Sequence, residues 1–246
     1  MRYLEGLGVA DRVSPDGVDL DGLQLVPVPF VPEVRLYLAE DVTAYRARME
    51  ASAYRTVVGP FWPPFWASAW AGGQALARYV LDHFELVAGR RVLDVCSGSG
   101  LVAIAAAMAG AATVVANDVD RYALAAIALN ANANGVPVEP CYGDLLGGDG
   151  GDAEVVLAGD VFYSPFMIRR LGAFLDRAAS RGARVLVGDP GRGGLTHDWL
   201  DVVMRYRVSM LGAPEDVNIE WCQVLQPHGQ RTRLPASPAP TPQTRS

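Results

Sequence analysis

The spacing of hydrophobic and polar positions changes near residue 90. From Arg91 onward, short apolar runs alternate with longer stretches spaced like helices. "RVLDV" reads as a buried strand and "GLVAIAAAMAG" as a helix. "ATVVAND" and "DRYALAAIALNANANG" repeat the pair. "PVEPCYGD" predicts a short strand, "AEVVLAGD" another, "FMIRRLGAFLDRAASRG" a helix and "ARVLVGD" a further strand. Strands alternating with helices imply a parallel sheet covered by helices on both faces. After this run, "DWLDVVMRY" predicts a helix. "RVSML" and "VNIEWCQVL" predict two strands joined by Gly-Ala-Pro-Glu-Asp, a hairpin suited to an antiparallel edge on a parallel sheet.

The first ninety residues follow a different pattern. Residues 1 to about 24 carry weak periodicity and Asp/Gly turns, and a loosely attached segment is expected. "LQLVPVPFVPEVRLYLAED" alternates apolar residues with prolines and predicts extended structure, and residues 42–56 predict a helix. A Trp- and Pro-rich stretch then leads into helical spacing from about Gly72 to His83. The expected organisation is an N-terminal extension over 1–56, a domain over 57–233 and a disordered, proline-rich tail over 234–246.

A length of 246 residues suits one α/β domain of ordinary size. The net charge of −6 argues against broad binding to nucleic-acid phosphates. Three scattered cysteines support neither a disulfide framework nor a zinc site and point to a reducing compartment. No signal-peptide pattern opens the chain. The apolar run "LVAIAAAMAGAATVVA" is broken by Gly110 and is read as helix, turn and strand, not a membrane span. A cytoplasmic location is expected on the assumption of a bacterial source, which the use of arginine in place of lysine suggests. All 21 basic residues of the Lys/Arg class are arginine. A chain without lysine has no lysine side chain of its own to modify.

The chemistry centres on "VLDVCSGSGLVA", residues 92–103, a strand entering a glycine turn and a helix. Such a turn brings backbone N–H groups and a helix N-terminus close to a ligand. Nucleotides, dinucleotides and S-adenosylmethionine can all use it, and the turn alone does not choose. In sheets of this kind ligands lie at the carboxyl ends of the strands. The residues just after successive strands are Asp118, Asp144, Asp160 with Tyr163, and Asp189. Gly98-x-Gly100-x-x-Ala103 also satisfies a dinucleotide pattern. Three features oppose a dehydrogenase: a carboxylate, Asp94, inside the first strand, about ninety residues ahead of that strand, and a terminal hairpin in place of a substrate domain.

Together, "VLDVCSGSG", "ANDVD" and "GDVFY" resemble class I S-adenosylmethionine methyltransferases, whose fold is a Rossmann-like, doubly wound, seven-stranded, mostly parallel sheet with an antiparallel C-terminal hairpin. Asp160-Val-Phe-Tyr163 is similar to the Asp-x-x-Tyr motif of a protein-lysine methyltransferase group. "VPEVRLYLAED", "FWASAWAGGQAL", "ANDVD", "LAGDVFY" and "RVLVGDPGR" resemble the electron transfer flavoprotein β-subunit lysine methyltransferases, from about residue 27 to 227. Cys96 stands where that family has its first turn glycine, Ala71 where it has a proline, and Asp144 where close relatives often have asparagine.

The resemblance implies transfer of methyl groups from S-adenosyl-L-methionine to lysine side chains of a protein, the electron transfer flavoprotein β subunit, without a nucleic-acid or membrane partner. Asp94, Ser97, Gly98 and Gly100 would hold the methionine end of the cofactor, Asp118 its ribose and Asp144 its adenine. Gly159 and Trp70 would line the cofactor pocket. Asp160 and Tyr163 would capture and aim the amine, and Asp189 would orient a substrate loop. Phe61, Trp62 and Trp66 are read either as substrate entrance or as aromatic core. A small-molecule N-methyltransferase and a catalytically silent cofactor-binding protein are the rival readings.

Overall fold

The computed structural model describes residues 22–56, 63–191, 199–209 and 219–230. Phe61, Trp62, His197 and the expected C-terminal tail lie outside the described residues. A hairpin of β1 (Leu23–Val28) and β2 (Val31–Ala39) opens the described chain. Residues 23 and 24, where the expected loose segment meets the expected extended stretch, begin β1, with Leu23 paired to Ala39 and Gln24 to Leu38. Helices α1 (Val42–Thr56) and α2 (Ala71–Asp82) follow. Then β3 (Arg91–Val95), α3 (Leu101–Met108), β4 (Thr113–Asp118), α4 (Arg121–Ala133) and β5 (Glu139–Tyr142) alternate as the periodicity indicates. They are succeeded by β6 (Val155–Gly159), α5 (Pro165–Ser180), β7 (Arg184–Asp189), β8 (Leu200–Ser209) and β9 (Ile219–Pro227).

Seven of the strands form one sheet in the order β5-β4-β3-β6-β7-β9-β8. The first five run parallel, while β9 pairs antiparallel with both β7 and β8. Strand order reverses between β3 and its neighbours β4 and β6, which opens a crevice at their carboxyl ends. Strand side chains alternate between the two faces. Val92, Val114, Val155, Leu157 and Leu186 pack with α2, α3 and α4. Leu93, Val95, Val156, Ala158, Val185 and Val187 pack on the other face with Leu171, Phe174, Leu175 and Ala178, one stripe of α5 at helical spacing. Ser164 caps that helix by accepting from Met167 N at 3.2 Å, with Pro165 in its first turn.

The segment expected as a helix over 198–206 is instead the edge strand β8. Val202, Val203 and Tyr206 favour a pleated surface. The register slips between Val202 and Met204, a bulge that breaks the period-two pattern and makes the run look helical.

The N-terminal hairpin shares the core of the sheet: Val28, Val31, Val34, Leu36 and Leu38 are buried with α2 and α3. The edge of β2 is closed by two asparagines one helical turn apart, Asn130 in α4 and Asn134 at its C-cap. Asn130 Oδ1 accepts from Tyr37 N at 2.8 Å, and Asn134 Oδ1 accepts from Arg35 N at 2.9 Å while its Nδ2 donates to Arg35 O. These bonds satisfy strand groups that would otherwise present a bare edge.

Candidate active site

The turn after β3 is built around Asp94, which is 1% exposed. Its Oδ2 accepts from Ser97 Oγ at 2.5 Å and from Ala103 N, in the first turn of α3, at 3.1 Å. Its Oδ1 is buried and has no hydrogen-bond partner. Burial raises the Asp94 carboxyl from 3.8 to about 7, against the opposing pull of Ser97 and Ala103; the nearby Asp118 charge adds to the rise. A buried carboxylate oxygen with no donor is the mark of a site for a cationic or N–H-bearing ligand group.

Three turn residues have positive φ: Cys96 at 54°, Gly98 at 55° and Gly100 at 83°. Glycine takes this conformation freely, whereas a cysteine does so with strain. Cys96 thus occupies a backbone position made for glycine. Burial, then the charges of Asp118 and Asp94, push its thiol up to about 12, which keeps it protonated near neutral pH. Behind the turn, Asn130 Nδ2 donates to Ser99 O at 2.8 Å, so one α4 side chain ties the turn to β2. A methyl added at Gly98 would meet only the Trp66 backbone at 3.8 Å, and the segment before α2 passes over the turn at that distance.

Asp118 ends β4. Its Oδ2 accepts from Gly98 N at 2.9 Å and its Oδ1 from Asp120 N at 3.0 Å. Burial raises its pKa. The N-cap of α4 is Asp120, which accepts from Tyr122 N, so Asp118 is left at the crevice instead of capping the helix. Asn117, buried beside it, donates to Cys141 O and Gly143 O and fixes the end of β5. Just beyond, Asp144 is exposed. It accepts from Leu146 N at 3.0 Å and pairs with Arg170 of α5 at 2.8 Å, which holds its carboxyl below the ordinary range. Arg177 bonds Gly148 O and Leu146 O, and Arg181 bonds Ala153 O, so α5 grips the whole loop.

Gly159 ends β6 and Asp160 follows it. A methyl added at Gly159 would lie 2.9 Å from Gly73 Cα, so this glycine lets α2 approach the strand end. Asp160 has φ 55°; its N donates to Gly188 O at 2.8 Å and its Oδ2 accepts from Gly73 N at 2.5 Å. Val161 and Phe162 are buried, and Tyr163 turns outward at 68% exposure. Partial burial, then the charges of Cys96 and Asp118, raise the Tyr163 pKa, so its hydroxyl keeps its proton. Asp189 ends β7, is buried, and accepts from Gly191 N at 3.1 Å.

The structure therefore gathers Asp94, Ser97, Gly98, Gly100, Asp118, Asp144, Gly159, Asp160 and Tyr163 at the carboxyl ends of β3 to β6. Trp70, half-buried, starts α2, and its Nε1 donates to Phe65 O at 2.7 Å. Trp66 belongs to the aromatic core: it is 2% exposed and stacks edge-on against Tyr45 at 5.8 Å. Asn117, Asn130 and Arg170 escape sequence reasoning, because each acts through partners in other elements.

The model of the ribosomal protein L11 methyltransferase (PrmA) family matches residues 75–158. A putative RNA methyltransferase from Pyrococcus horikoshii has the same fold: the TM-score is 0.51 at 16% identity, over 76% of this chain and 98% of that one. The electron transfer flavoprotein beta subunit lysine methyltransferase of Danio rerio is 44% identical over 137 residues, 54% of this chain and 53% of that protein. The chain thus spans about half the length of that relative. A Caenorhabditis elegans homolog of that methyltransferase is 30% identical over 178 residues, 62% of this chain and 72% of that protein. With that coverage, and with the carboxyl-end carboxylates in place on a sheet of the matching fold, the chain belongs to the electron transfer flavoprotein beta subunit lysine methyltransferase family.

Proposed function

We propose that the protein is an S-adenosyl-L-methionine-dependent lysine N-methyltransferase that acts on the electron transfer flavoprotein β subunit. One observation carries the reading. A cofactor-type glycine turn, Asp94 to Gly100, sits one strand away from Asp160-x-x-Tyr163, so a cationic cofactor and a cationic substrate side chain would meet at one crevice. The chain's own residues fit the cofactor. Asp94 Oδ1, buried and without a donor, suits the amino group of its methionine end. Each Asp118 oxygen accepts one backbone N–H and keeps a lone pair for a ribose hydroxyl. Asp144 sits at the rim where adenine would lie, and sharing it with an adenine amine would mean sharing it with Arg170.

When bound, the cofactor supplies an electrophilic methyl group on a sulfonium. Alignment and closeness are the enzyme's main contribution to such an in-line transfer. A free lysine has a pKa of about 10.4 and arrives as an ammonium. Asp160 attracts and aims that cation, and a carboxylate favours the charged form rather than removing its proton. Loss of the proton is assisted by desolvation as the side chain enters the crevice. Tyr163, with its protonated hydroxyl, can accept from or pack against the incoming nitrogen. The rim is open: Tyr163 is 68% and Phe166 57% exposed, which suits a side chain presented by a protein better than a small molecule enclosed on all sides. No helix among the described residues is long and apolar enough to cross a membrane.

The test is transfer of label from the methyl group of S-adenosyl-L-methionine to purified electron transfer flavoprotein, with the wild type and Asp160→Ala in parallel. Label on the β subunit that disappears in the variant supports the reading. Absence of label with cofactor binding intact by calorimetry overturns the substrate and keeps the fold.

A further inference from the structure

Asp160 carries an unfavourable backbone conformation and yet has a defined carboxylate position. Both are explained by α2. The helix has Trp70 at its N-cap position, and the side chain of Trp70 does not cap the end. Its first backbone bond runs from Gln74 N to Trp70 O, so Gly73 N is one of the donors the helix cannot satisfy itself. Asp160 Oδ2 accepts from that N–H across 87 residues of sequence. The carboxylate therefore caps α2 from the end of β6, where the helix N-terminus favours its negative charge.

This contact needs α2 to sit almost on the strand ends. A methyl added at Gly72 would lie 2.5 Å from Gly188 O and 2.8 Å from Asp160 Oδ2. One added at Gly188 would overlap the Gly72 carbonyl, and one at Gly159 would lie 2.9 Å from Gly73 Cα. The same Gly188 O that Gly72 approaches also accepts from Asp160 N at 2.8 Å. Backbone and side chain of Asp160 are thus both held by atoms that only a glycine at position 72 lets come together. We propose that Gly72 is a positioning residue for Asp160. By keeping its own volume at zero side-chain atoms, it sets where the carboxylate stands relative to the incoming lysine. This rests on the methyltransferase reading above.

The test is a double-mutant cycle on methyl transfer to the electron transfer flavoprotein β subunit, using Gly72→Ala, Asp160→Asn and the double variant. Cofactor affinity by calorimetry and the melting temperature are measured for each. A misplacement of this kind reduces kcat/KM on the order of 100-fold. The expected result is that loss for Gly72→Ala alone, with cofactor Kd unchanged within about twofold. In the Asp160→Asn background the same substitution should cost less than about threefold more, because residues that act through one another are not additive. Equal losses in both backgrounds, or loss of cofactor affinity in step with rate, overturn the proposal and leave Gly72 a packing residue.

If Gly72→Ala does not fold, Asp160→Glu decides. It keeps the charge but carries the carboxylate one methylene beyond the place α2 gives it. A rate as low as that of Asp160→Asn is expected, and retention of more than about a third of wild-type activity overturns the proposal. No transfer by the wild type overturns the methyltransferase reading and this inference with it. Transfer by the wild type with additive losses overturns this inference alone.

Discussion

On the proposed reading, in which Asp94 holds the amino group of the cofactor, binding should depend on pH near neutrality. Its carboxyl, almost fully buried, is raised from 3.8 to about 7 by burial. A cationic group that docks on Oδ1 requires the ionised form, so the apparent Kd is the intrinsic Kd divided by the ionised fraction. With a midpoint at about 7, that fraction is roughly 9% at pH 6 and roughly 76% at pH 7.5, an expected tightening of about eightfold over the interval. The stability effect has the opposite sign. Because the folded value lies above the unfolded one, protonated Asp94 stabilises the ligand-free protein fully below about pH 4, and that stabilisation is lost as pH rises through about 7. The assay is titration calorimetry with S-adenosyl-L-methionine between pH 6 and 7.5, in two buffers of different ionisation enthalpy. Binding at pH 7 should release about half a proton. Asp94→Asn should bind more weakly and lose most of the pH dependence. An unchanged pH profile in Asp94→Asn would refute the assignment and move the titration to Asp118 or Asp120, the other carboxyls that burial raises.

Other expectations follow from backbone and packing. Cys96→Gly should raise stability by about 0.5–1 kcal/mol, since relief of about 1–2 kcal/mol of left-handed strain is partly offset by glycine's freedom in the unfolded chain. A thermal melt should show an increase of a few degrees, and a lower melting temperature would show that the thiol's packing outweighs the strain. Asn130→Ala removes the bonds to Ser99 O and Tyr37 N together, leaving one buried and one half-buried backbone group unsatisfied. The expected loss is about 2–4 kcal/mol, with earlier proteolysis of the N-terminal hairpin and weaker cofactor binding. A stable variant with a protected hairpin would show that α4 does not tie β2 to the glycine turn.

Sequence reading succeeded where local spacing carries the information. The strand–helix alternation from Arg91, the glycine turn and the carboxylates at strand ends are all local, and the sheet brings them to one crevice. It failed at β8, where one extra residue in the strand hid the alternation from a one-dimensional pattern. It did not show that the N-cap of α4 falls on Asp120, two residues beyond Asp118. The rest depends on contacts between distant elements. The "NANANG" run gives no sign that Asn130 and Asn134 close a strand edge nearly a hundred residues away. Nothing in "AGGQAL" shows that its glycines admit a carboxylate from beyond β6. Nor does the spacing of Arg170, Arg177 and Arg181 in and just after α5 show that they hold the loop that carries Asp144.

The most direct test of the central claim is peptide-resolved mass spectrometry of the electron transfer flavoprotein β subunit after incubation with the enzyme and S-adenosyl-L-methionine. The account requires methyl groups on lysine side chains of that subunit with the wild type and none with Asp160→Ala, while both proteins bind the cofactor alike. Methyl groups on another residue type, or a modified lysine pattern unchanged in Asp160→Ala, would contradict it.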